Sequence, residues 1–322
     1  MTPPIGNAAA QAAFAEALAG GALHHGWLIA GPEGVGKAHF ARYAAVQLLS
    51  RARGQSGSPG DTDTARWVEG RRDPDFLELT RLMNEKGANK DKLARSIKVD
   101  QVRDLIAMLS TRPSIGDARA VVIDAVDDME RNAANALLKN LEEPPRGTVF
   151  FLVSHAPGRL LATIRSRCRV LRFDPLSEAE VVEVLRAELP DAAPDELETL
   201  ARASGGAPGR AMTYAGLDFA ALDADMAAIA ERGDADNIIR SRLATALSPK
   251  AAQPRYEAFL EHAPSFIAAR ARDRSGDALA EEIDAYARAR ELAGAALGLS
   301  LDPAVSVFEL AGQIARLAPR RA

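Results

Sequence analysis

An octapeptide near the amino terminus, G-P-E-G-V-G-K-A, has the clearest potential for chemistry in this sequence. It follows a short apolar run, G-W-L-I-A, and precedes an amphipathic helical pattern. Strand, glycine loop and helix form the context of a phosphate-binding loop, in which backbone N–H groups surround phosphate oxygens and a lysine adds a point charge. The spacing predicts a nucleotide site, and its residues are Gly31, Gly34, Gly36 and Lys37.

Two groups that an active ATPase needs are replaced by alanine. Ala38 stands where serine or threonine would place a hydroxyl on magnesium. Asp124 ends the apolar run R-A-V-V-I-D and is the expected magnesium-organising carboxylate, but Ala125 follows it where an acid would polarise the attacking water. Asp127 and Asp128 are possible substitutes, although we interpret them as caps of the next helix. The loop predicts a degenerate site, and whether ATP binds there stays open.

A third candidate lies after the apolar run V-F-F-L-V, which ends at the polar Ser154. Polar groups at the carboxyl end of a buried parallel strand lie at the usual ligand edge of the sheet. A short helix predicted over residues 157–163 then leads to R-S-R-C, which contains Arg167. An arginine at a rigid turn can present its planar fork of donors to a phosphate on a neighbouring molecule. Spacing alone favours the simpler interpretation of solvated surface arginines.

Composition describes an ordinary globular protein. The chain has 322 residues, a formal net charge of -4 and a hydrophobic fraction of 47%. Without a basic excess, strong DNA binding by the chain alone is not expected. The single cysteine, Cys168, excludes an internal disulfide and a cysteine-built zinc site. The sequence has neither signal-peptide character nor a run of ~20 apolar residues, so we expect a cytoplasmic protein without membrane contact.

The elements that must position these residues follow an α/β order up to residue 174. Apolar runs predict strands over residues 26–30, 73–80, 119–124 and 149–153, separated by helical patterns. Such βα units predict a parallel sheet with right-handed crossovers and helices on both faces. Residues 53–64 are polar and lack core-forming side chains, so we expect a solvated linker there.

From residue 175 onwards the pattern is helical only. A capping box at Ser177 and Glu180 opens the first of these helices. Arg210 lies near the start of the third. It is either an exposed helix residue or a side chain that folds back to a nucleotide phosphate. The alanine- and leucine-rich helices beyond residue 217 carry no chemical cluster, and such segments more often contact partners.

The chain resembles the delta-prime subunits of the bacterial DNA polymerase III clamp loader, members of the AAA+ superfamily. The resemblance covers residues 5–211 and rests on H-H-G-W-L-I-A-G-P-E-G-V-G-K-A, I-K-V-D-Q-V-R, V-V-I-D-A-V-D-D-M, N-A-L-L-K-N-L-E-E-P-P and I-R-S-R-C. It implies that Arg167 is an arginine finger for the ATP site of a neighbouring subunit. By the same resemblance, Ser154 is the sensor-one position and Arg210 the sensor-two arginine.

The resemblance also implies an architecture and partners. Residues 1–174 would form an AAA+ P-loop domain, residues 175–216 a helical lid, and residues 217–322 a helical collar for oligomerisation. The partners would be gamma/tau and delta subunits in a hetero-pentamer, with the sliding clamp and primed DNA contacted through the complex. The implied function is support of ATP-dependent clamp loading by a non-hydrolysing subunit.

Two departures from the family pattern limit the interpretation. Many delta-prime proteins carry a four-cysteine zinc module, but residues 54–73 contain no cysteine, so we predict no zinc. Gamma/tau motor subunits keep the hydroxyl and the acid that Ala38 and Ala125 replace. Two alternatives remain: a self-sufficient AAA+ ATPase, which these alanines oppose, and a pure interaction module whose P-loop is vestigial.

Overall fold

A computed structural model describes residues 1–21, 23–83, 93–271, 275–299 and 301–319. The chain divides into two compact units, Met1–Leu176 and Ser177–Ala322. The first unit combines a sheet with helices, and the second contains helices throughout its described residues. The last strand ends at Arg172, and only helices follow from Glu178 in the described residues, as the pattern from residue 175 predicts. The domain boundary at residue 174 stays a prediction.

The first unit is built on a five-stranded parallel sheet with the order β2-β3-β4-β1-β5. Its strands are β1 (Gly26–Ala30), β2 (Phe76–Thr80), β3 (Arg119–Asp124), β4 (Thr148–Ser154) and β5 (Arg169–Arg172). Every residue of β1 and β4 is buried, as central strands covered on both faces require. Because all strands run the same way, the carboxyl ends of β1, β3 and β4 lie side by side.

Helices cover both faces of this sheet. They are α1 (Ala8–Ala19), α2 (Lys37–Ala52), α3 (Asp63–Glu69), α4 (Val99–Leu109), α5 (Arg131–Glu142) and α6 (Ala162–Arg165). Successive residues of β4 point to opposite faces. Phe151 contacts Phe14 of α1, with ring centroids 5.6 Å apart. Phe150 and Leu152 belong to the core cluster that also contains buried side chains of α4 and α5.

The fifth strand was not predicted by the sequence. β5 has four residues, of which only Leu171 is buried, and it forms one edge of the sheet through its pairing with β1. Arg169 and Arg172 give this segment the composition of a solvated turn rather than of a parallel strand. Charged residues are a common feature of edge strands. Because of them, the sequence pattern did not indicate a strand here.

The solvated linker predicted over residues 53–64 is wrong. The segment contains a 3₁₀ turn and the start of α3, and Thr62 and Thr64 are buried. Arg53 is also buried, where Nη1 and Nη2 donate to the Asp73 carboxylate at 2.5 and 2.8 Å. Asp75 accepts from the backbone N–H groups at residues 114 and 115. Ion pairs and hydrogen bonds to the backbone stabilise this region. A search for apolar residues in the sequence does not detect such interactions.

The second unit is described by itself. Its helices are α7 (Glu178–Glu188), α8 (Pro194–Ser204), α9 (Pro208–Tyr214), α10 (Phe219–Arg232), α11 (Ile238–Leu247), α12 (Gln253–Ala271), α13 (Gly276–Gly298) and α14 (Pro303–Ala315). The capping box of Ser177 and Glu180 is confirmed at the start of α7. In the parts of the chain given above, no helix has the length and apolar character to cross a membrane. The division into a lid over 175–216 and a collar over 217–322 stays a prediction.

Candidate functional site

The glycine loop connects β1 to α2 and has the backbone shape that its sequence requires. Gly34 and Gly36 have φ angles of 80° and 93°, in the left-handed region that favours glycine. A Cβ atom on Gly31 would lie 2.1 Å from the carbonyl oxygen of Phe173. Each of these glycines therefore has its own steric reason. Because α2 begins at Lys37, the loop delivers its backbone to a helix amino terminus, where phosphate is favoured.

The loop lysine is engaged inside the protein. Lys37 is 3% exposed, and its ammonium group donates to the carbonyl oxygen of Pro32. Burial lowers the pKa of Lys37 to about 8, although the negative charges of Asp124, Glu33 and Asp127 raise it in part. The side chain is thus mostly charged at neutral pH and could attract a phosphate. It would have to exchange the Pro32 carbonyl for that phosphate.

Ala38 and Ala125 each lie next to an element that carries a predicted site residue. Ala38 lies in the first turn of α2, and Ala125 follows the last residue of β3 and is 2% exposed. Asp124 ends β3, and its burial raises the pKa of its carboxyl group. The site thus retains a carboxylate near the lysine, but the methyl groups of Ala38 and Ala125 can neither bind magnesium nor activate water.

Ser154 and Asp127 are joined by a hydrogen-bonded clamp at the carboxyl end of β4. The Ser154 hydroxyl donates to one oxygen of the Asp127 carboxylate at 3.0 Å. The same carboxylate accepts from the backbone N–H groups of His155 at 2.5 Å and Ala156 at 3.3 Å. Ser154 is fully buried. Its only proton is therefore committed to Asp127, and its hydroxyl is not presented to a ligand as a donor.

The interpretation of Asp127 and Asp128 as helix caps is wrong. A 3₁₀ turn, Val126–Asp128, lies between β3 and α5, and the N-cap position of α5 is Glu130 without a side-chain cap. Asp128 instead forms an ion pair with Arg81, with 3.0 Å between Oδ2 and Nε. The extra turn moves both carboxylates away from the helix start, so the cap pattern in the sequence has no structural counterpart.

Arg167 lies at the opposite end of β1 from the glycine loop. The Arg167 carbonyl oxygen and the Cys168 thiol lie against Gly26, where an added Cβ would meet them at 3.1 and 3.2 Å. Gly26 is the first residue of β1 and Gly31 follows the last. Five strand residues at a rise of about 3.3 Å put roughly 16 Å between these two glycines. The guanidinium of Arg167 therefore belongs to a different end of the sheet from Lys37.

The turn that carries Arg167 is short and partly open to solvent. The helix predicted over residues 157–163 is in fact a 3₁₀ turn, Pro157–Arg159, followed by the single-turn helix α6. Nη1 of Arg167 donates to the carbonyl oxygen of Thr163 at 2.8 Å, and Nη2 forms an ion pair with Glu142 at 2.7 Å. The Arg167 side chain remains 32% exposed. Burial raises the pKa of the adjacent Cys168 thiol to about 12.

Glu142 is the functional candidate that the sequence did not reveal. It is the last residue of α5, in the segment N-L-E-E-P-P, and lies far from Arg167 in sequence. No spacing pattern links the two. The only local signal is a pair of exposed acids before two prolines, which also describes an ordinary helix end.

Arg210 lies in the second unit, in the first turn of α9. Its Nε forms an ion pair with Glu261 at 2.9 Å, and Nη1 donates to the carbonyl oxygen of Ser204 at 3.1 Å. The side chain is 25% exposed and is paired within its own unit. The simpler alternative, a fully solvated helix residue, does not describe it. Its role as a sensor stays a prediction.

The first unit thus brings Lys37, Asp124 and Ser154 to one edge of the sheet, and Arg167 to the other end. Within the described residues, no group of three or more histidine, cysteine, aspartate or glutamate side chains has the arrangement of a metal site.

Comparison with known proteins gives consistent matches. The family model described as DNA polymerase III, delta subunit, matches residues 6–177. DNA polymerase III subunit delta' of Pseudomonas aeruginosa is 38% identical over 200 residues, which cover 62% of this chain and 58% of that protein. Subunit delta' of Escherichia coli is 34% identical over 189 residues, which cover 59% of this chain and 54% of that protein.

A tau subunit and a solved structure also match. DNA polymerase III subunit tau of Escherichia coli is 33% identical over 207 residues, which cover 63% of this chain and 30% of that protein. A gamma subunit-related protein of Thermotoga maritima has a crystal structure that aligns with a TM-score of 0.44 and 16% identity, over 95% of this chain and 98% of that one. The chain thus spans less than two thirds of the length of the curated relatives named here.

Proposed function

The chain belongs to the family described as DNA polymerase III, delta subunit, and on that premise we propose that it acts as a delta-prime-type subunit of a clamp loader. In this role it works in the cytoplasm and supports ATP-dependent loading of the sliding clamp on primed DNA. It hydrolyses no ATP itself and donates Arg167 to the ATP site of a neighbouring gamma/tau subunit.

The position of Arg167 carries this proposal. Its backbone lies at the amino end of β1 and its side chain is 32% exposed, whereas its own glycine loop follows the carboxyl end of the same strand. An arginine that cannot serve its own nucleotide site is available to a phosphate on another molecule. Arginine fingers supplied in trans stabilise the charge of the transition state in phosphoryl transfer.

The other half of the proposal concerns the glycine loop. The left-handed glycines and Lys37 suit the phosphates of ATP, and Asp124 lies nearby as a carboxylate. Ala38 and Ala125 supply neither a magnesium ligand nor a water activator, and the Ser154 hydroxyl is committed to Asp127. These features support a non-hydrolysing site. Calorimetric titration with ATP distinguishes a site that still binds nucleotide from a vestigial one.

The proposed partners are those that the family resemblance implies. Gamma/tau and delta subunits would complete a hetero-pentamer, and the clamp and primed DNA would be contacted through this assembly. The formal net charge of -4 agrees with a chain that does not hold DNA by itself.

One observation favours a second candidate function. The match to subunit tau of Escherichia coli suggests a self-sufficient AAA+ ATPase. The two alanines oppose it because the magnesium hydroxyl and the catalytic acid are missing together. Steady-state ATPase of the purified chain separates the candidates: we expect no turnover above a Lys37→Ala control, and robust turnover would favour the motor.

The Arg167→Ala variant tests the finger directly. Loss of an arginine finger reduces turnover by roughly 10³- to 10⁵-fold in analogous phosphoryl-transfer systems. We therefore expect the DNA-stimulated ATPase of the assembled loader to fall, with the subunit still folded and incorporated. Arg165→Ala is the matched control, because Arg165 lies on the same turn, is exposed and donates to the carbonyl of Pro157 at 3.2 Å. Unchanged ATPase in Arg167→Ala would remove the finger role.

A further inference from the structure

The Arg167 guanidinium is already oriented within the free chain. Nη1 donates to the Thr163 carbonyl oxygen at 2.8 Å and to the Ser166 hydroxyl at 3.4 Å. Nη2 pairs with Glu142 Oε1 at 2.7 Å. The Thr163 and Ser166 contacts come from the turn itself, whereas Glu142 comes from the end of α5. Glu142 therefore ties the tip of the arginine to a second element of the sheet domain.

The geometry of a guanidinium leaves this pairing compatible with binding to a phosphate. Arginine has five N–H donors in a planar fork. Among the described residues, the contacts of Arg167 use Nη1 and Nη2, and Nε has no acceptor. Because Glu142 binds one edge of the guanidinium through one carboxylate oxygen, other N–H groups of Arg167 remain to donate to a phosphate oxygen. The pair is also partly solvated, since the Glu142 side chain is 48% exposed.

The ion pair between Arg167 and Glu142 is weak enough to order the guanidinium without blocking its binding to a phosphate. An ion pair this exposed is weak, and a multiply charged triphosphate with magnesium at a developing transition state is a stronger partner for arginine. A long arginine side chain, however, loses considerable rotamer freedom when it is fixed. A contact that restricts this freedom before the subunits meet reduces the entropy lost when the phosphate is bound.

We propose that Glu142 is a positioning residue for Arg167: its carboxylate holds the guanidinium in the orientation in which it reaches the triphosphate of a neighbouring subunit. This inference rests on the proposed function. Glu142 acts through Arg167 and touches neither nucleotide nor water in the reaction. The adjacent Glu143 is exposed and has no ion pair in the described parts of the chain, so it provides a matched acid without this role.

The experiment uses the complete loader, assembled with the gamma/tau and delta subunits of the same bacterium, with clamp and primed DNA. Its variants are Glu142→Gln, Glu143→Gln, Arg167→Ala and the double variant Glu142→Gln/Arg167→Ala. We expect Glu142→Gln to lower kcat for ATP about two- to five-fold, the range that an exposed ion pair allows. KM for ATP should change less, because a finger acts mainly on the transition state. Glu143→Gln should match the wild type.

The double variant separates positioning from a general structural effect. If Glu142 acts through the guanidinium, its substitution adds nothing once Arg167 is alanine. The proposal would be overturned if Glu142→Gln lowered kcat in the Arg167→Ala background as much as it does in the wild type. It would also be overturned if Glu142→Gln alone left kcat unchanged or raised it, and a higher kcat would mean that Glu142 competes with the phosphate. If Arg167→Ala itself has no effect, the proposed finger role fails and the positioning role fails with it. An effect of Arg167→Ala without one of Glu142→Gln overturns the positioning role alone.

Discussion

The two ends of strand β1 differ in how their polar groups are used. At the carboxyl end, the Lys37 ammonium donates to the Pro32 carbonyl, and Asp127 holds the Ser154 hydroxyl. At the amino end, Arg167 keeps a third of its side chain in solvent and pairs with a surface carboxylate. The carboxyl end thus keeps the backbone shape of a nucleotide site, but its polar side chains are bonded within the protein. At the amino end, the positively charged side chain of Arg167 is partly exposed to solvent.

The two ends therefore differ in what their residues are expected to do. At the carboxyl end, close packing requires the loop glycine Gly31, since an added Cβ would lie 2.1 Å from the carbonyl oxygen of Phe173. The outward arginine has no comparable structural reason. If the comparison holds, changes at the carboxyl end affect mainly stability, and changes at Arg167 affect mainly the activity of the assembly.

The sharpest test of this comparison adds one methyl group at the glycine loop and one in the open 3₁₀ turn that follows β4. In Gly31→Ala the new Cβ would lie 2.1 Å from a backbone oxygen of Phe173, which cannot move without disturbing β5. We expect a loss of about 3 kcal/mol or more in the free energy of unfolding, measured by urea denaturation. Gly158→Ala, near the arginine turn, meets no atom within 4 Å and should stay within about 0.5 kcal/mol of the wild type. Equal losses would contradict the contrast.

The pH dependence of stability tests whether Lys37 is buried as described. Its folded pKa of about 8 lies below the ordinary value of 10.5. The unfolded chain therefore binds more protons between these values, and stability rises with pH across that window; below about pH 8 this gain is absent. We expect the wild type to gain about 2 to 3 kcal/mol from Lys37 between pH 8 and 10 relative to Lys37→Met.

The comparison with Lys37→Met is needed because other groups titrate in this window. Burial raises the pKa of Tyr43 and Tyr214, which acts in the opposite direction. These groups are present in both proteins, so their contribution cancels in the difference. A constant difference from pH 8 to pH 10 would mean that the lysine is solvated in the folded chain.

The Asp127 clamp predicts a smaller effect. Asp127→Ala leaves the buried Ser154 hydroxyl and two backbone N–H groups without their acceptor, which should cost about 2 kcal/mol of unfolding free energy. Asp128→Ala removes only the partly exposed pair with Arg81 and should cost less than about 1 kcal/mol. Chemical denaturation of both variants measures the difference. A larger loss in Asp128→Ala would show that the clamp is not what holds this edge.

The sequence predicts the sheet domain well where its signals are local. Four strands, the glycine loop and the helices around it follow from apolar runs and from glycines with a steric role. The fifth strand is missed because its burial depends on an edge position rather than on its own composition. The supposed linker is missed because Arg53 and Asp73 form a buried pair across residues that appear solvated.

The candidate site shows the same limit. The identities of Lys37, Asp124 and Arg167 follow from motifs, but their partners do not. Asp127, in the turn after β3, bonds to Ser154 at the end of the neighbouring strand β4. Glu142, at the end of α5, pairs with Arg167 in the turn after α6. The partners in such pairs are distant in sequence and come together only in the folded chain. A 3₁₀ turn of three residues was enough to separate Asp127 from the cap position that its spacing suggested.

The partly buried thiol of Cys168, next to Arg167, has a practical consequence. Cys168 is the only cysteine of the chain, and burial raises its pKa to about 12, so almost none of it is thiolate at neutral pH. Maleimide reagents react with the thiolate form of cysteine and should therefore leave the native protein unlabelled. A cysteine introduced at an exposed position would carry a fluorophore at one defined point, and distances to a labelled neighbour could be followed while the assembly works.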